Sequence, residues 1–271
     1  MIEVFAPAKI NLTLHVTGQR SDGYHLLDSL VVFAGVSDKL TISTAREISL
    51  DVNGLYAEGV PTDENNLVWK AASACGLKAD IALEKNLPNA AGIGGGSADA
   101  AAVVRGARQL GYQGDLDASS LGADVPVCLS NAPQRMQGIG ETLTDVFGLP
   151  EMWMVLVNPR VDVPTPMVFS ALETKSNSAM EDILPNWTDF NAFCEWLGGQ
   201  RNDLQAPAVA LRPIIGDSLA ALSDGAASGM SGSGATCFGL YPSAAEAAKA
   251  AQRIKKAHPK WWVADTKVLE A

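Results

Sequence analysis

Between Pro88 and Ala98 the chain reads Pro88-Asn89-Ala90-Ala91-Gly92-Ile93-Gly94-Gly95-Gly96-Ser97-Ala98, four glycines and a serine set directly before an alanine-rich run. Ala100 to Leu110 is rich in good helix formers and stops at Gly111, so the glycines fall where a helix leaves its first N–H groups unpaired and its dipole is positive. A polyphosphate fits such a place. Glycine admits close approach of the backbone to an anion, and Ser97 offers a hydroxyl to a phosphate oxygen or to Mg²⁺. A Walker loop would end in Gly-Lys-Ser/Thr, and the dinucleotide pattern G-x-G-x-x-G fails on spacing. The same residue types also make an ordinary glycine turn capped by Ser97.

Other residues have chemistry to offer. On a strand of period two, Lys9 and Asn11 share one face while Ile10 and Leu12 share the other, so a cation and an amide point together at an anion or a hydroxyl. Asp124 interrupts the apolar stretch Leu121-Gly122-Ala123-Asp124-Val125-Pro126-Val127, and a carboxylate there needs a partner if it is buried. An Asp beside a Lys in a cleft is a general-base pair; an Asp in a turn before a proline is the plainer alternative. Asp22-Gly23-Tyr24-His25 places an aromatic ring and an imidazole after a turn, which suits a flat heterocycle. Thr165 and Phe169 follow a rigid Pro164 turn, with Phe169 a candidate to face Tyr24. Met230 to Ala235 is a second loop of small residues, weak as a signal by itself.

Alternation at Thr13 to Thr17, an apolar run at Leu30 to Ala34 and alternation again at Leu40 to Ser43 predict an antiparallel β-rich start with turns between the strands. Asn65 to Cys75 reads as a helix, and Ile81 to Lys85 as a strand that delivers the chain into the glycine loop. Trp153 to Val157 is a buried strand ended by Asn158-Pro159, and a domain boundary is placed just before it, dividing residues 1–150 from 151–271. The second half predicts helices over Ala179 to Leu197 and Ala208 to Leu222, a strand at Cys237 to Tyr241, the helix Ala244 to Ala257 and a last strand from Trp261. The polar stretch Lys175 to Ala179 suits a mobile loop.

Composition narrows the function classes. The chain has 271 residues, 47% hydrophobic and 18% charged, and a net charge of −10. No segment approaches the roughly 18 consecutive apolar residues of a membrane span. The acidic balance, with no basic cluster larger than Arg253 to Lys256, argues against nucleic acid as a partner. Four cysteines without a C-x-x-C pair suggest neither a zinc site nor a disulfide framework, and with no secretory signal the expected compartment is cytoplasmic.

Taken in order, Pro7 to Asn11, Leu87 to Ala101 and Met230 to Ala235 resemble the three motifs of the GHMP kinase superfamily. Gly18 to His25, Leu121 to Pro126 and Gly138 to Glu141 resemble the branch of it that acts on a cytidyl diphosphate methylerythritol. The resemblance implies an α+β, two-domain GHMP kinase fold, with an N-terminal ribosomal protein S5 domain 2-like half and a C-terminal ferredoxin-like α/β sandwich. It implies transfer of the γ-phosphoryl of ATP to the 2-hydroxyl of the methylerythritol moiety. Asp124 would deprotonate or orient that hydroxyl, with Lys9 holding Asp124 ionised. Pro88 to Ala98 would cradle ATP, with Ser97 near Mg²⁺. The cytidine would lie between Tyr24 and Phe169 with His25 reading the base, and Asn11 and Thr165 would contact the substrate. The expected partner is that small molecule, with no nucleic acid or membrane, and the protein is expected as a monomer or weak homodimer. The alternatives are another GHMP small-molecule kinase and a catalytically silent nucleotide-binding sensor.

Overall fold

A computed structural model describes residues 1–270. The strands are β1 (Ile2–Asn11), β2 (His15–Gln19), β3 (His25–Thr44), β4 (Ser49–Asn53), β5 (Ala79–Glu84), β6 (Gln134–Gly138), β7 (Thr142–Asp145), β8 (Trp153–Asn158), β9 (Ala227–Met230), β10 (Cys237–Tyr241) and β11 (Trp262–Lys267). The helices are α1 (Leu67–Ala74), α2 (Gly95–Gln109), α3 (Val125–Cys128), α4 (Thr165–Ser170), α5 (Phe190–Gly198), α6 (Gln205–Leu211), α7 (Ile214–Ala221) and α8 (Ala244–Ala257). Among the described residues no helix is long and apolar enough to cross a membrane.

The chain folds as two compact units that interleave along the sequence. The first comprises Met1–Lys9, Val36–Asn89 and Gly94–Asn131; the second comprises Ile10–Gly35, Ala90–Ile93 and the chain from Ala132 onward. The second sheet begins with β8 at Trp153, and β1 and β3 each run from one unit into the other.

In the first unit, Lys39 to Thr44 of β3 pairs antiparallel with β5, and β4 adds to β5 in parallel. Helices α1 and α2 pack on each other. Asn66 caps α1 by accepting from Val68 N at 2.9 Å, which satisfies one of the free N–H groups of its first turn. Helix α2 is buried almost all round, and the small side chains of Ala98, Ala101, Ala102 and Ala107 let it lie close to its neighbours.

In the second unit, β2 and β6 both pair antiparallel with the first half of β3, and β7 continues from β6. A separate antiparallel sheet runs in the order β11-β8-β10-β9. Helix α8 crosses it, with Ala247, Ala250, Ala251 and Ile254 buried against Val155, Val157 and Val263. Burying Ile254 alone is worth about 2–3 kcal/mol.

Several local expectations gave way to long-range contacts. The break expected between Ala34 and Leu40 is absent, and β3 runs unbroken for 20 residues. Its two halves are paired by different strands, and Asp38 points into buried charge rather than into a turn. The helix expected from Ala179 begins only at Phe190. The residues before it are instead tied down: Asn177 N donates to Val16 O at 3.0 Å, and Arg135 donates to the carbonyls of Glu181 and Asp182 at 2.8 and 3.1 Å. Pro213, which cannot donate to a helix ladder, separates α6 from α7 where one helix was expected. The glycine-loop helix starts five residues earlier than its alanine run, so Gly95 and Gly96 are its first turn.

Candidate active site

In the first unit Lys9 near the end of β1 is 4% exposed, and its Nζ lies 2.8 Å from Asp124 Oδ1. A buried lysine needs such a partner. Asp124 immediately precedes α3, and its side chain is 37% exposed, so the carboxylate remains reachable from solvent while held by Lys9. The neighbouring Cys128 thiol is pushed up to about 12 by burial and stays protonated at neutral pH.

The glycine loop meets this pair. Gly94 sits before α2 at φ 62°, a left-handed conformation that L side chains rarely adopt, and no side chain caps the helix there. A Cβ on Gly94 would stand 3.2 Å from Lys9 Cβ, so the loop backbone lies along the lysine stem. The first helical bond is Ala98 N to Gly94 O at 2.8 Å, which leaves the amides of Gly95, Gly96 and Ser97 ahead of it without helical acceptors. Gly96 is exposed and Ser97 half-buried. An uncapped N-terminus beside an ammonium suits a polyphosphate.

The loop entry is anchored by a charge cluster that sequence reading missed. Lys85 Nζ pairs with Asp38 Oδ2 and with Asp99 Oδ2, the latter at 2.8 Å, and all three side chains are at most 4% exposed. Asp38 Oδ1 also accepts from the amides of Asn86 and Leu87 at 2.5 and 2.8 Å, just ahead of Pro88. Burial pushes Asp99 up, with the charge of Asp38 adding to it and Lys85 opposing. Burial acts to lower Lys85, and the charges of Asp99 and Asp38 outweigh it, leaving Lys85 raised.

In the second unit the middle of the loop, Ala90 to Ile93, is held by the small-residue loop after β9. Ser231 Oγ donates to Gly92 O at 2.8 Å and accepts from Asn11 N at 3.0 Å, and Thr236 N donates to Ala91 O at 3.1 Å. A Cβ on Gly92, whose φ is 74°, would come 2.5 Å from Ser231 O. Only glycine fits there. Asn11 is 1% exposed; its Nδ2 donates to Ser29 Oγ at 2.8 Å, and its Oδ1 has no partner among the described residues.

His25 and Phe169 stack in the same unit, with ring centroids 4.6 Å apart and planes 24° apart. The ring that Phe169 faces is thus His25, while Tyr24 is 60% exposed. His25 Nε2 is buried without a partner among the described residues. Burial lowers the His25 pKa and the charge of Lys175 adds to this, so the imidazole is neutral at pH 7. A neutral imidazole carries one donor and one acceptor, the complement of a nucleobase edge. Thr165 opens α4, and its Oγ1 lies 2.7 Å from Ser233 Oγ.

Similarity to known proteins agrees with these features. Residues 66–131 match the GHMP kinases N terminal domain and residues 178–260 match GHMP kinases C terminal. A 4-diphosphocytidyl-2-C-methyl-D-erythritol kinase from Ruegeria pomeroyi is 54% identical over 99% of both chains. One from Paracoccus denitrificans is 53% identical over 96% of this chain and 94% of its own. A crystal structure of 4-(cytidine 5'-diphospho)-2C-methyl-D-erythritol kinase superposes over the whole of both chains with a TM-score of 0.77 at 32% identity. A homoserine kinase from Cytophaga hutchinsonii shares the fold at 18% identity and a TM-score of 0.67. With a glycine-loop helix N-terminus beside a Lys–Asp pair and full-length relatives at this identity, the chain belongs to the 4-diphosphocytidyl-2-C-methyl-D-erythritol kinase family of the GHMP kinases.

Proposed function

We propose that this protein transfers the γ-phosphoryl group of ATP to the 2-hydroxyl of 4-diphosphocytidyl-2-C-methyl-D-erythritol, releasing ADP, as a step of non-mevalonate isoprenoid precursor biosynthesis. The observation that carries this reading is the 2.8 Å Lys9–Asp124 pair lying against the uncapped N-terminus of α2. Asp124 accepts the hydroxyl proton as the substrate oxygen bonds to the γ-phosphorus, and the bond from that phosphorus to the β–γ bridging oxygen breaks to leave ADP. Lys9 holds the Asp124 carboxylate in place through their 2.8 Å ion pair and balances charge on the transferring group. Phosphoryl transfer rewards such positioning and neutralisation more than covalent help.

The loop from Pro88 to Ala98 holds the phosphates through its free amides. Ser97 is the side chain assigned to Mg²⁺, a cation that takes few protein oxygens and completes its shell from phosphates and water. That assignment fits the half-buried Ser97 hydroxyl in the first turn of α2, among amides without helical acceptors. Bound with ATP, Mg²⁺ supplies charge neutralisation at the phosphoryl oxygens. A silent nucleotide sensor would need the glycine loop but not the paired lysine and aspartate.

The test is incubation with ATP, Mg²⁺ and the cytidyl substrate, following ADP and the phosphorus spectrum. A new phosphomonoester at the 2-position is expected; ADP without that ester would refute the acceptor.

The His25–Phe169 pair, with Tyr24 beside it in sequence, is assigned to the cytosine, and Asn11 and Thr165 to the rest of the substrate. His25→Ala is expected to raise KM for the cytidyl substrate about tenfold and to leave KM for ATP within about twofold. Because the folded imidazole pKa is depressed, the neutral stacked state persists below the ordinary value of 6.5 and is lost only as pH falls through the lowered pKa. In the wild type, KM for the cytidyl substrate therefore rises as pH drops below that value, and the Ala variant lacks the rise. Equal losses for both substrates would overturn the assignment.

A further inference from the structure

We propose that Arg105 is a positioning residue for phosphoryl transfer, fixing the Lys9–Asp124 pair by clamping the main chain of both elements that carry it. The inference rests on the reading of Asp124 as the base. Arg105 lies on α2, and its guanidinium serves two carbonyl oxygens rather than a carboxylate: Nη1 donates to Cys128 O and Nη2 to Phe5 O, each at 2.6 Å. Phe5 stands four residues before Lys9 on β1, and Cys128 stands four residues after Asp124 at the end of α3. With its amide oriented to satisfy both neighbours, Asn131 also donates to Cys128 O at 3.0 Å and accepts from Arg105 Nη2 at 3.2 Å.

The clamp matters because α3 cannot hold its own direction. It has four residues, one of them Pro126 without an N–H, and Cys128 N reaches Asp124 O only at 3.3 Å. A helix that short is unstable in isolation and takes its orientation from outside. One outside tie is the ion pair itself, which reaches α3 only through the half-exposed Asp124 at its start. The second tie joins the same two elements, β1 and α3, at their other ends through Arg105. The two ties act at opposite ends of α3 and add to the packing of its buried Val125, Val127 and Cys128. Arginine suits the task because its planar fork presents several donors in fixed geometry, whereas the ammonium of lysine is a single point on a flexible stem. Since Arg105 belongs to the helix whose first turn is the phosphate loop, the clamp also references the base to that turn.

The test is a kinetic double-mutant cycle on the full chain with ATP, Mg²⁺ and the cytidyl substrate. Arg105→Met is expected to lower kcat about tenfold while KM for ATP stays within about twofold, and Arg105→Lys to recover part of the loss. In an Asp124→Asn background, where no base remains to be positioned, Arg105→Met is expected to cost less than about twofold. The same fold loss in both backgrounds, or an unchanged kcat in the first, overturns the proposal. Should the Met variant fail to fold, Arg105→Lys runs the same cycle: a loss that vanishes with Asp124→Asn supports the clamp, and a loss that persists overturns it. Wild-type turnover in Asp124→Asn alone would remove the base assignment and this inference with it, an outcome distinct from additive losses, which remove the inference only.

Discussion

Asp124→Asn is expected to lower kcat by about three orders of magnitude and to leave the ATP dissociation constant within about twofold. The substitution is nearly isosteric, and the amide oxygen still accepts from Lys9 at the place where Oδ1 lies 2.8 Å from Nζ. What it loses is the lone pair able to take a proton at neutral pH and the negative charge that Lys9 balances. General-base removal accounts for about 10²–10⁴ in rate, and the loss of the ion pair places this variant toward the middle of that range. In the proposed function the nucleotide is held by backbone amides of the α2 first turn, which the variant does not touch. Steady-state kinetics paired with calorimetric ATP titration separates the two quantities. Turnover close to wild type would dismiss Asp124 as the base, and parallel loss of ATP binding would show that the carboxylate organises the loop instead.

Lys85→Met is expected to destabilise the fold by about 3–5 kcal/mol, because it strands two buried carboxylates that now share one cation. Asp38 and Asp99 are 0% and 4% exposed, so water cannot replace the ammonium. For a chain of this size that is a fall in thermal midpoint of about 10 °C. The loss is local in a particular way: Asp38 also holds the amides of Asn86 and Leu87, and Asp99 lies in the second turn of α2. The glycine loop is thus fastened at both ends by one cluster, and if it holds ATP as proposed, KM for ATP rises alongside the fall in midpoint. Adding Asp99→Asn to Lys85→Met should restore part of the midpoint, since it removes one of the two uncompensated charges. A double variant less stable than Lys85→Met would show that the cluster is held by packing rather than by charge.

The features legible in the chain were those whose physics is local. Glycines before a run of helix formers make an uncapped helix N-terminus wherever they occur, and the alternation that sets Lys9 and Asn11 on one strand face depends only on neighbouring residues. Residues Cys237 to Tyr241 and Ala244 to Ala257 form a strand and a helix at the expected bounds for the same reason. Tertiary structure decided what no local rule contains. It paired Lys9 with Asp124, brought Ser231 to Gly92, stacked His25 rather than Tyr24 on Phe169, and buried Lys85 between Asp38 and Asp99. It kept Gly35 to Asp38 inside a continuous β3, between a stretch paired with β6 on one side and a stretch paired with β5 on the other. It also withheld helix from Ala179 to Asp189, where Arg135, held by Asp28, takes the carbonyls of Met180, Glu181 and Asp182. From its sequence alone the chain specified which residues could do chemistry; which of them meet was set by strand order and chain crossing, since contacts between distant residues follow from topology and from the cost of burying charge without a partner.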